Sequence, residues 1–419
     1  MSSTREQTSS IAQSEAARRP APLWRNHDFI LLIGGQGVSS LGSQVSLIAF
    51  PLLMLALTHS PAQAGLMSAV RGLPFALFSL PAGALVDRWN RKRVMILCDL
   101  GRALALGSIP IAYAFGSLTF LQLYLVALVE GTLFTFFSVA EASSIPHLVA
   151  KEQITAATGQ DRVVYSLANL FGPALAPILY GLGQVIPFLV DAISYFASVL
   201  SLFLIKTKFH SERVHAPRNL WREIHEGLSW LWRDKTLRFI AILTFGLNTP
   251  CTGYALIIIV LAQHMHAPNI LLGLIFAGGG VGSIIGVVLV APLQKRFGFS
   301  RVFMTAVWLW ALTWLFFVFA PDPLVLGAIT TLSFIVVPVY SVMQYSYRLT
   351  MTPEPLLGRV NSVYRLLAFG GQPLGIALTG ILLQAIGPMP TVLLLFIPQG
   401  ILAIIATFNK SIRHVTSIA

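Results

Sequence analysis

Gly83-Ala84-Leu85-Val86-Asp87-Arg88-Trp89-Asn90-Arg91-Lys92-Arg93 lies between two apolar runs, each about twenty-five residues long. A dense basic loop wedged between membrane-length segments belongs on the cytoplasmic side, because Lys and Arg are costly to carry across a bilayer. Gly83 removes the side chain where two helices can approach closely. Asp87 is placed to meet a helix N-terminus or a neighbouring cation.

The rest of the chain fits that setting. Of 419 residues, 55% are hydrophobic and only 11% are charged, and the mean hydropathy is +0.75. A soluble protein of this size with so few charges could not cover its surface. The net charge of +12 then reads as positive-inside bias rather than a nucleic-acid footprint. About twenty apolar residues cross a bilayer core, and such runs cover residues 28–58, 62–86, 93–115, 119–144, 160–182, 187–206, 238–263, 269–292, 302–320, 323–347, 358–387 and 390–409. Segments 59–61, 116–118, 183–186, 264–268, 321–322 and 388–389 hold no Lys or Arg. Segregation of this kind predicts twelve spans with both termini inside.

The expected organisation is a disordered cytoplasmic tail (1–26), a six-helix bundle (27–206), a cytoplasmic linker (207–237), a second six-helix bundle (238–409) and a short cytoplasmic tail (410–419). Within the linker, Leu220, Ile224, Leu228 and Leu231 recur at helical spacing beside Trp221, Trp230 and Trp232, which predicts a helix lying on the inner leaflet. The halves look like repeats: Gly65-Leu66 through Arg88 and Arg93-Val94 aligns with Gly273-Leu274 through Arg296 and Arg301-Val302 at one offset.

The loop matches Gly, any three, Asp-Arg, any two, Arg-Lys, and so resembles the signature between the second and third helices of the major facilitator superfamily. Asn90 stands where that signature usually has glycine. The resemblance covers roughly residues 27–409 and implies an all-α polytopic membrane protein, twelve helices in two pseudo-symmetric six-helix bundles. Leu23-Trp24-Arg25-Asn26, Asp99-x-x-Arg102-Ala103, Asp191-Ala192-Ile193-Ser194-Tyr195, Glu226-Gly227 and Trp230-Leu231-Trp232 are similar to one branch, the drug:proton antiporters of the macrolide-efflux and enterobactin-exporter type. Gly172-Pro173 resembles the antiporter motif only in part, since Ala176-Pro177 replaces its glycines. In facilitators the second loop arginine pairs with an acid on span 4, and the loop aspartate faces the start of span 11. By resemblance those roles fall on Arg91 with Glu141, and on Asp87 with the helix beginning near Gly358; with Gly83 and Arg88 these make a cytoplasmic gate. The alternative is a static charge cluster.

Ionisable residues inside spans cost about 2.5–3.5 kcal/mol each on insertion scales and mark cavities or partners. Glu130 and Arg71 lie at similar depths from the outer ends of spans 4 and 2, about 16 and 14 Å by helical rise. They are level enough to pair, either as a proton-coupling couple or as a permanent ion pair. Asp191 is either a second protonatable site or a polar anchor, and Asp99 and Arg102, three apart, share a face. Gln36, Ser39, Ser40, Ser43 and Gln44 form a polar stripe on span 1 that lines a cavity or glues helices together. Asn248, Tyr254, Tyr340, Gln344 and Gln372 are uncharged candidates for a substrate cavity in the second half, joining Gln36, Ser40 and Ser43 in the first. Cys98 and Cys251 suit neither a disulfide nor a metal site, and His264-x-His266 lacks a third ligand.

The sequence thus points to a secondary transporter in the cell membrane, exporting a bulky hydrophobic or amphipathic drug, antibiotic or siderophore by proton antiport and alternating access. The expected partners of this monomer are a small-molecule substrate, protons and membrane lipid, with no nucleic acid and no cofactor. The rival readings are a lysolipid or metabolite carrier on the same fold and a non-transporting sensor. No HExxH, Gly-x-Ser-x-Gly or phosphate-binding loop supports an enzyme.

Overall fold

The structure, a computed structural model, describes residues 22–86, 88–207, 220–353, 356–409 and 412. Asp87, most of both expected tails and residues 208–219 of the linker lie outside the described residues. Every regular element among the described residues is helical. The first half comprises α1 (His27–Thr58), α2 (Pro61–Val86), α3 (Arg91–Ala114), α4 (Phe120–Leu148), α5 (Ile154–Leu182) and α6 (Ile186–Leu204). A linker helix, α7 (Leu220–Arg233), precedes the second half: α8 (Lys235–Cys251), α9 (Tyr254–His264), α10 (Asn269–Phe297), α11 (Phe299–Phe316), α12 (Pro323–Met351), α13 (Leu357–Phe369), α14 (Gln372–Ile386) and α15 (Pro388–Phe408). Eleven helical segments among the described residues are long and apolar enough to span a bilayer, and the 26-residue α2 supplies the twelfth.

Two spans are broken. Span 7 divides into α8 and α9 beyond Pro250, and span 11 into α13 and α14 at Gly370 and Gly371. The breaks sit beside one another: a Cβ on Gly371 would meet Thr249 Oγ1 at 2.5 Å, and Thr252 Oγ1 donates to the Gln372 carbonyl at 3.2 Å. Interrupted helices are tolerated at membrane depth only where such contacts satisfy the freed backbone groups.

Helix starts follow from local chemistry. The side chains of Asn26, Thr119, Asp234 and Asp322 accept from backbone N–H groups of the first turns of α1, α4, α8 and α12, each cap worth about 1 kcal/mol. Asn90, the residue that departs from the facilitator signature, caps α3 by accepting from Arg93 N at 3.1 Å. Connections therefore alternate between a basic face, with the signature loop and the linker, and a neutral face whose short connections hold no Lys or Arg.

The two bundles meet toward the neutral face. There α2 packs on α14, and α5 on α10. A Cβ on Gly65 would fall 2.8 Å from Gly380 Cα and from the Ile376 carbonyl, so the backbones of α2 and α14 touch. On the basic face the close approach expected at Gly83 is not made. A Cβ there, or on Gly358, would have no neighbour within 4 Å among the described residues.

The linker helix docks on the second half. Its Gly227 lies against the Arg359 backbone, where a Cβ would fall 2.9 Å from the carbonyl, and Glu226 pairs with Arg359 Nη1 at 2.6 Å. Both side chains of that pair are over a third exposed, so Glu226→Ala is expected to cost no more than about 1 kcal/mol. Gly227→Leu has no room and is expected to lift α7 off α13, read as faster proteolysis of the linker.

Candidate functional site

The first half buries a polar cluster between α1, α2, α3, α4 and α6. Glu130, fully buried on α4, accepts two hydrogen bonds from Arg71 on α2: Nε to Oε2 at 2.6 Å and Nη2 to Oε1 at 3.1 Å. Arg102 on α3 adds Nη2 to Oε1 at 3.0 Å and reaches Asp99 Oδ1 with Nη1 at 3.3 Å. The Tyr195 hydroxyl on α6 donates to Glu130 Oε1 at 3.3 Å and lies 2.8 Å from Ser43 Oγ on α1. Arg102 also stacks over the Tyr195 ring, 4.0 Å from its centroid. The pairing follows from backbone packing, because Gly131 brings α4 so close to α2 that a Cβ would collide with the Arg71 carbonyl.

Asp191, also fully buried, has a different environment. Ser46 Oγ donates to its Oδ2, and Ser194 Oγ lies 3.1 Å from Oδ1. Its partners are hydroxyls, with no guanidinium within ion-pair distance among the described residues. Three carboxyl groups (Asp99, Glu130, Asp191) thus share the interior with two guanidinium groups (Arg71, Arg102). Asp99 Oδ2 and Arg102 Nε have no hydrogen-bond partner. Breaking a buried ion pair costs about 3–5 kcal/mol because the surviving charge stays desolvated, so this arrangement is sensitive to any change of protonation.

Two residues of the polar stripe of span 1, Gln36 and Ser43, face α6 and this cluster, while Gln44 packs against Gly172 of α5. Gln36 Nε2 donates to Ser198 Oγ on α6 at 3.1 Å, and Ser43 joins α1 to Tyr195 and Arg102. Ser40 and Gln44 are half-buried. Gln36 and Ser43 therefore link helices within the bundle.

Arg91 and Glu141 are not joined. Arg91 Nη1 donates to the Ser143 carbonyl at 3.1 Å and meets His147 Nε2 at 3.1 Å, and no hydrogen bond or ion pair connects it to Glu141 among the described residues. Glu141 is half-buried, with Asp161 and Arg162 of α5 and Asp99 and Arg102 of α3 within electrostatic reach. Arg88 is exposed beside the loop. Asp87, the other half of the expected gate, lies outside the described residues.

In the second half, Tyr340 is fully buried. Its hydroxyl lies 2.7 Å from Thr244 Oγ1, which is also 2.6 Å from the Tyr364 hydroxyl. Asn248 Nδ2 donates to the Ala368 carbonyl at 3.1 Å, tying span 7 to span 11. Tyr254 packs edge-on against Phe334, Gln344 Oε1 accepts from Arg348 at 2.8 Å, and Gln372 is exposed at the helix break. Among the described residues no group of three or more His, Cys, Asp or Glu could hold a metal ion.

Sequence reasoning missed Ser46, Thr244, Tyr364 and Arg348. Ser46 is two residues beyond the recognised stripe but one turn on from Ser43, and its helical spacing was the available signal. Arg348 was missed because the tenth apolar run stops at residue 347, whereas α12 continues to Met351.

Residues 19–417 match the transmembrane secretion effector family. The chain is 26% identical over 404 residues to the multidrug efflux pump Tap of Mycolicibacterium fortuitum, covering 92% of this chain and 96% of that protein. It is likewise 26% identical over 374 residues to macrolide efflux protein A of Streptococcus pyogenes, covering 86% and 90%. A bacterial homologue of the iron transporter ferroportin, solved in an inward-facing state, superposes with a TM-score of 0.71 at 17% identity, over 92% of this chain and 99% of that one. A family match over nearly the whole chain, on a fold shared with facilitator transporters, makes this multi-pass membrane protein a member of the transmembrane secretion effector family, in the drug-efflux branch of the major facilitator superfamily.

Proposed function

We propose that the protein exports a bulky hydrophobic or amphipathic compound by proton antiport, and that the buried cluster of the first half is its proton site. The observation that carries this reading is the excess of one carboxyl over the guanidinium groups in that cluster. Full ionisation would leave an uncompensated charge in a dry interior, and one bound proton removes it. Sequence alone leaves Glu130 as either a proton carrier or half of a permanent ion pair. Its two arginine partners favour a permanent carboxylate there, and Asp191, held only by hydroxyls, takes the proton. Glu130 then acts as the anchor that keeps Arg71 and Arg102 in place.

Alternating access is supported by the asymmetry of the interface. The bundles touch toward the neutral face and leave Gly83 and Gly358 uncovered on the basic one. With the basic face cytoplasmic, as the positive-inside rule requires, this is an inward-open arrangement. Rocking would close the basic face, with Gly83 and the start of α13 as the contact. The similarity to multidrug and macrolide efflux proteins supports export over import.

The test is proton release from purified protein in detergent on addition of macrolides and cationic dyes. Wild type is expected to release protons saturably; Asp191→Asn is expected to bind the same ligands without release. Binding by wild type with no release would sink antiport, and undiminished release from Asp191→Asn would place the proton elsewhere.

A further inference from the structure

Arg348, on the last turn of α12, is buried and has no acidic partner among the described residues. Only 4% of it is exposed. Nη1 donates to Gln344 Oε1 at 2.8 Å, and the guanidinium carbon lies 3.8 Å from the Tyr364 ring centroid and 5.1 Å from that of Tyr345. Its Nε has no hydrogen-bond partner, and no Asp or Glu lies within ion-pair distance among the described residues. Arg365, next to Tyr364 on the same helix, is exposed and within electrostatic reach of Arg348, adding a second positive charge. Two further buried polar atoms on the same two segments of chain lack hydrogen-bond partners. Thr352 Oγ1 is one turn beyond Arg348, and Asn361 Oδ1 is one turn before Tyr364.

The distribution of charge sharpens the anomaly. Helices α8 to α15 contain no Asp or Glu at all, whereas α1 to α6 contain six: Asp28, Asp99, Glu130, Glu141, Asp161 and Asp191. Arg71 and Arg102 in the first half are neutralised by carboxylates; the helices that hold Arg348 and Arg365 contain none, and Glu226 of the neighbouring α7 is paired with Arg359 instead. Ring stacking is favourable, but neither it nor a neutral amide removes the charge, and desolvating an ion is costly. A buried guanidinium with a second cation in electrostatic reach, and an unpartnered hydroxyl and carboxamide on the same two segments, offers a donor set for an oxyanion. The amide of Asn361 carries both an acceptor oxygen and a donor nitrogen, and rotation of the group presents either one.

We propose that Arg348, with Arg365, Thr352 and Asn361, forms a binding site for an anionic group, a carboxylate or phosphate-type oxyanion, at the basic-face end of the second bundle. Two sources carry that chemistry. Arg348 lies three residues from the end of α12, about 5 Å along its axis, at the depth of lipid headgroups, and basic pockets between helices there take anionic lipid. Arg365 lies eight residues inside span 11, about 12 Å, where the anionic end of a transported solute would arrive. The solute source rests on the transport function proposed above; the lipid source does not. In either case the second bundle receives the anion and the first handles protons.

Two arms of one experiment separate the sources, using the full chain in nanodiscs. In phosphatidylcholine discs, binding of pyrenebutyrate is compared with that of its methyl ester for wild type, Arg348→Gln, Arg348→Lys and Arg365→Gln. A solute site predicts about a tenfold or greater preference of wild type for the carboxylate. That preference is abolished in Arg348→Gln with ester binding unchanged, and reduced in Arg365→Gln. In the second arm, thermal midpoints are compared between phosphatidylglycerol and phosphatidylcholine discs. A lipid site predicts a higher midpoint in phosphatidylglycerol for wild type and none of that gain in Arg348→Gln. Arg348→Lys keeps the charge and serves if the glutamine variant does not fold. Absence of both effects in wild type, or their survival in the charge-removed variants, overturns the site. Proton release reads the first bundle alone, so its failure is separable from the failure of this proposal.

Discussion

Glu130→Ala is expected to destabilise the first bundle by about 3–5 kcal/mol, enough to remove most of the folded protein from a size-exclusion peak in mild detergent. The carboxylate accepts from two arginines and a tyrosine, all in contact with it at 2.6–3.3 Å. Its removal leaves Arg71 and Arg102 facing one another across a buried void, with Asp99 as the nearest acid to Arg102. Neither arginine can shed its proton in a protein, so the charge cannot be relieved by titration. Glu130→Gln preserves shape and an acceptor oxygen but not the charge, and is expected to fall between alanine and wild type. Restoring neutrality tests the cause: Glu130→Gln combined with Arg71→Gln is expected to recover stability relative to Glu130→Gln alone, because it removes one of the two stranded cations. A double variant less stable than the single would show that packing, not charge, dominates the cluster.

The second large effect is conformational. Gly65→Val places a Cβ 2.8 Å from Gly380 Cα and the Ile376 carbonyl, atoms of a helix backbone that cannot rotate aside. Overpacking of this kind costs about 1–3 kcal/mol, and the cost falls only on the arrangement in which α2 and α14 touch. An equilibrium between two arrangements then moves by about 5–150-fold. Spin labels at His59 and Gln384, both exposed near the neutral face, are expected to move apart in Gly65→Val. Gly83→Val meets no atom within 4 Å in this structure and is expected to leave that distance unchanged while disfavouring closure of the basic face. Equal label distances in wild type and Gly65→Val would mean that the glycine contact does not hold the neutral face shut.

Several features of the fold were legible because their physics is local. A span is declared by the cost of putting peptide and charge into hydrocarbon, so apolar runs and Lys/Arg-free connections gave the helices and their alternation directly. The Arg71–Glu130 couple was also within reach, since rise per residue converts sequence position into depth and the two depths agree. The breaks in spans 7 and 11 were not foreseen. Glycine and proline occur in intact membrane helices as well, and whether a helix breaks depends on a neighbour able to satisfy its freed backbone.

The sequence by itself determined the class, the count of spans, the basic face and which ionisable residues lie deep, because each follows from transfer free energies summed along the chain. Only the tertiary structure decided partnership. That Glu130 holds two arginines while Asp191 holds only serines, that Arg91 turns to His147 and Ser143 rather than Glu141, and that Arg348 is buried away from the acids of the first half all depend on rotation about helix axes and on which helices abut. A one-residue difference turns a side chain by about 100° around an α-helix, and depth carries no record of that angle. The charge surplus in one bundle and the unmatched cations in the other therefore became visible only once the helices were packed.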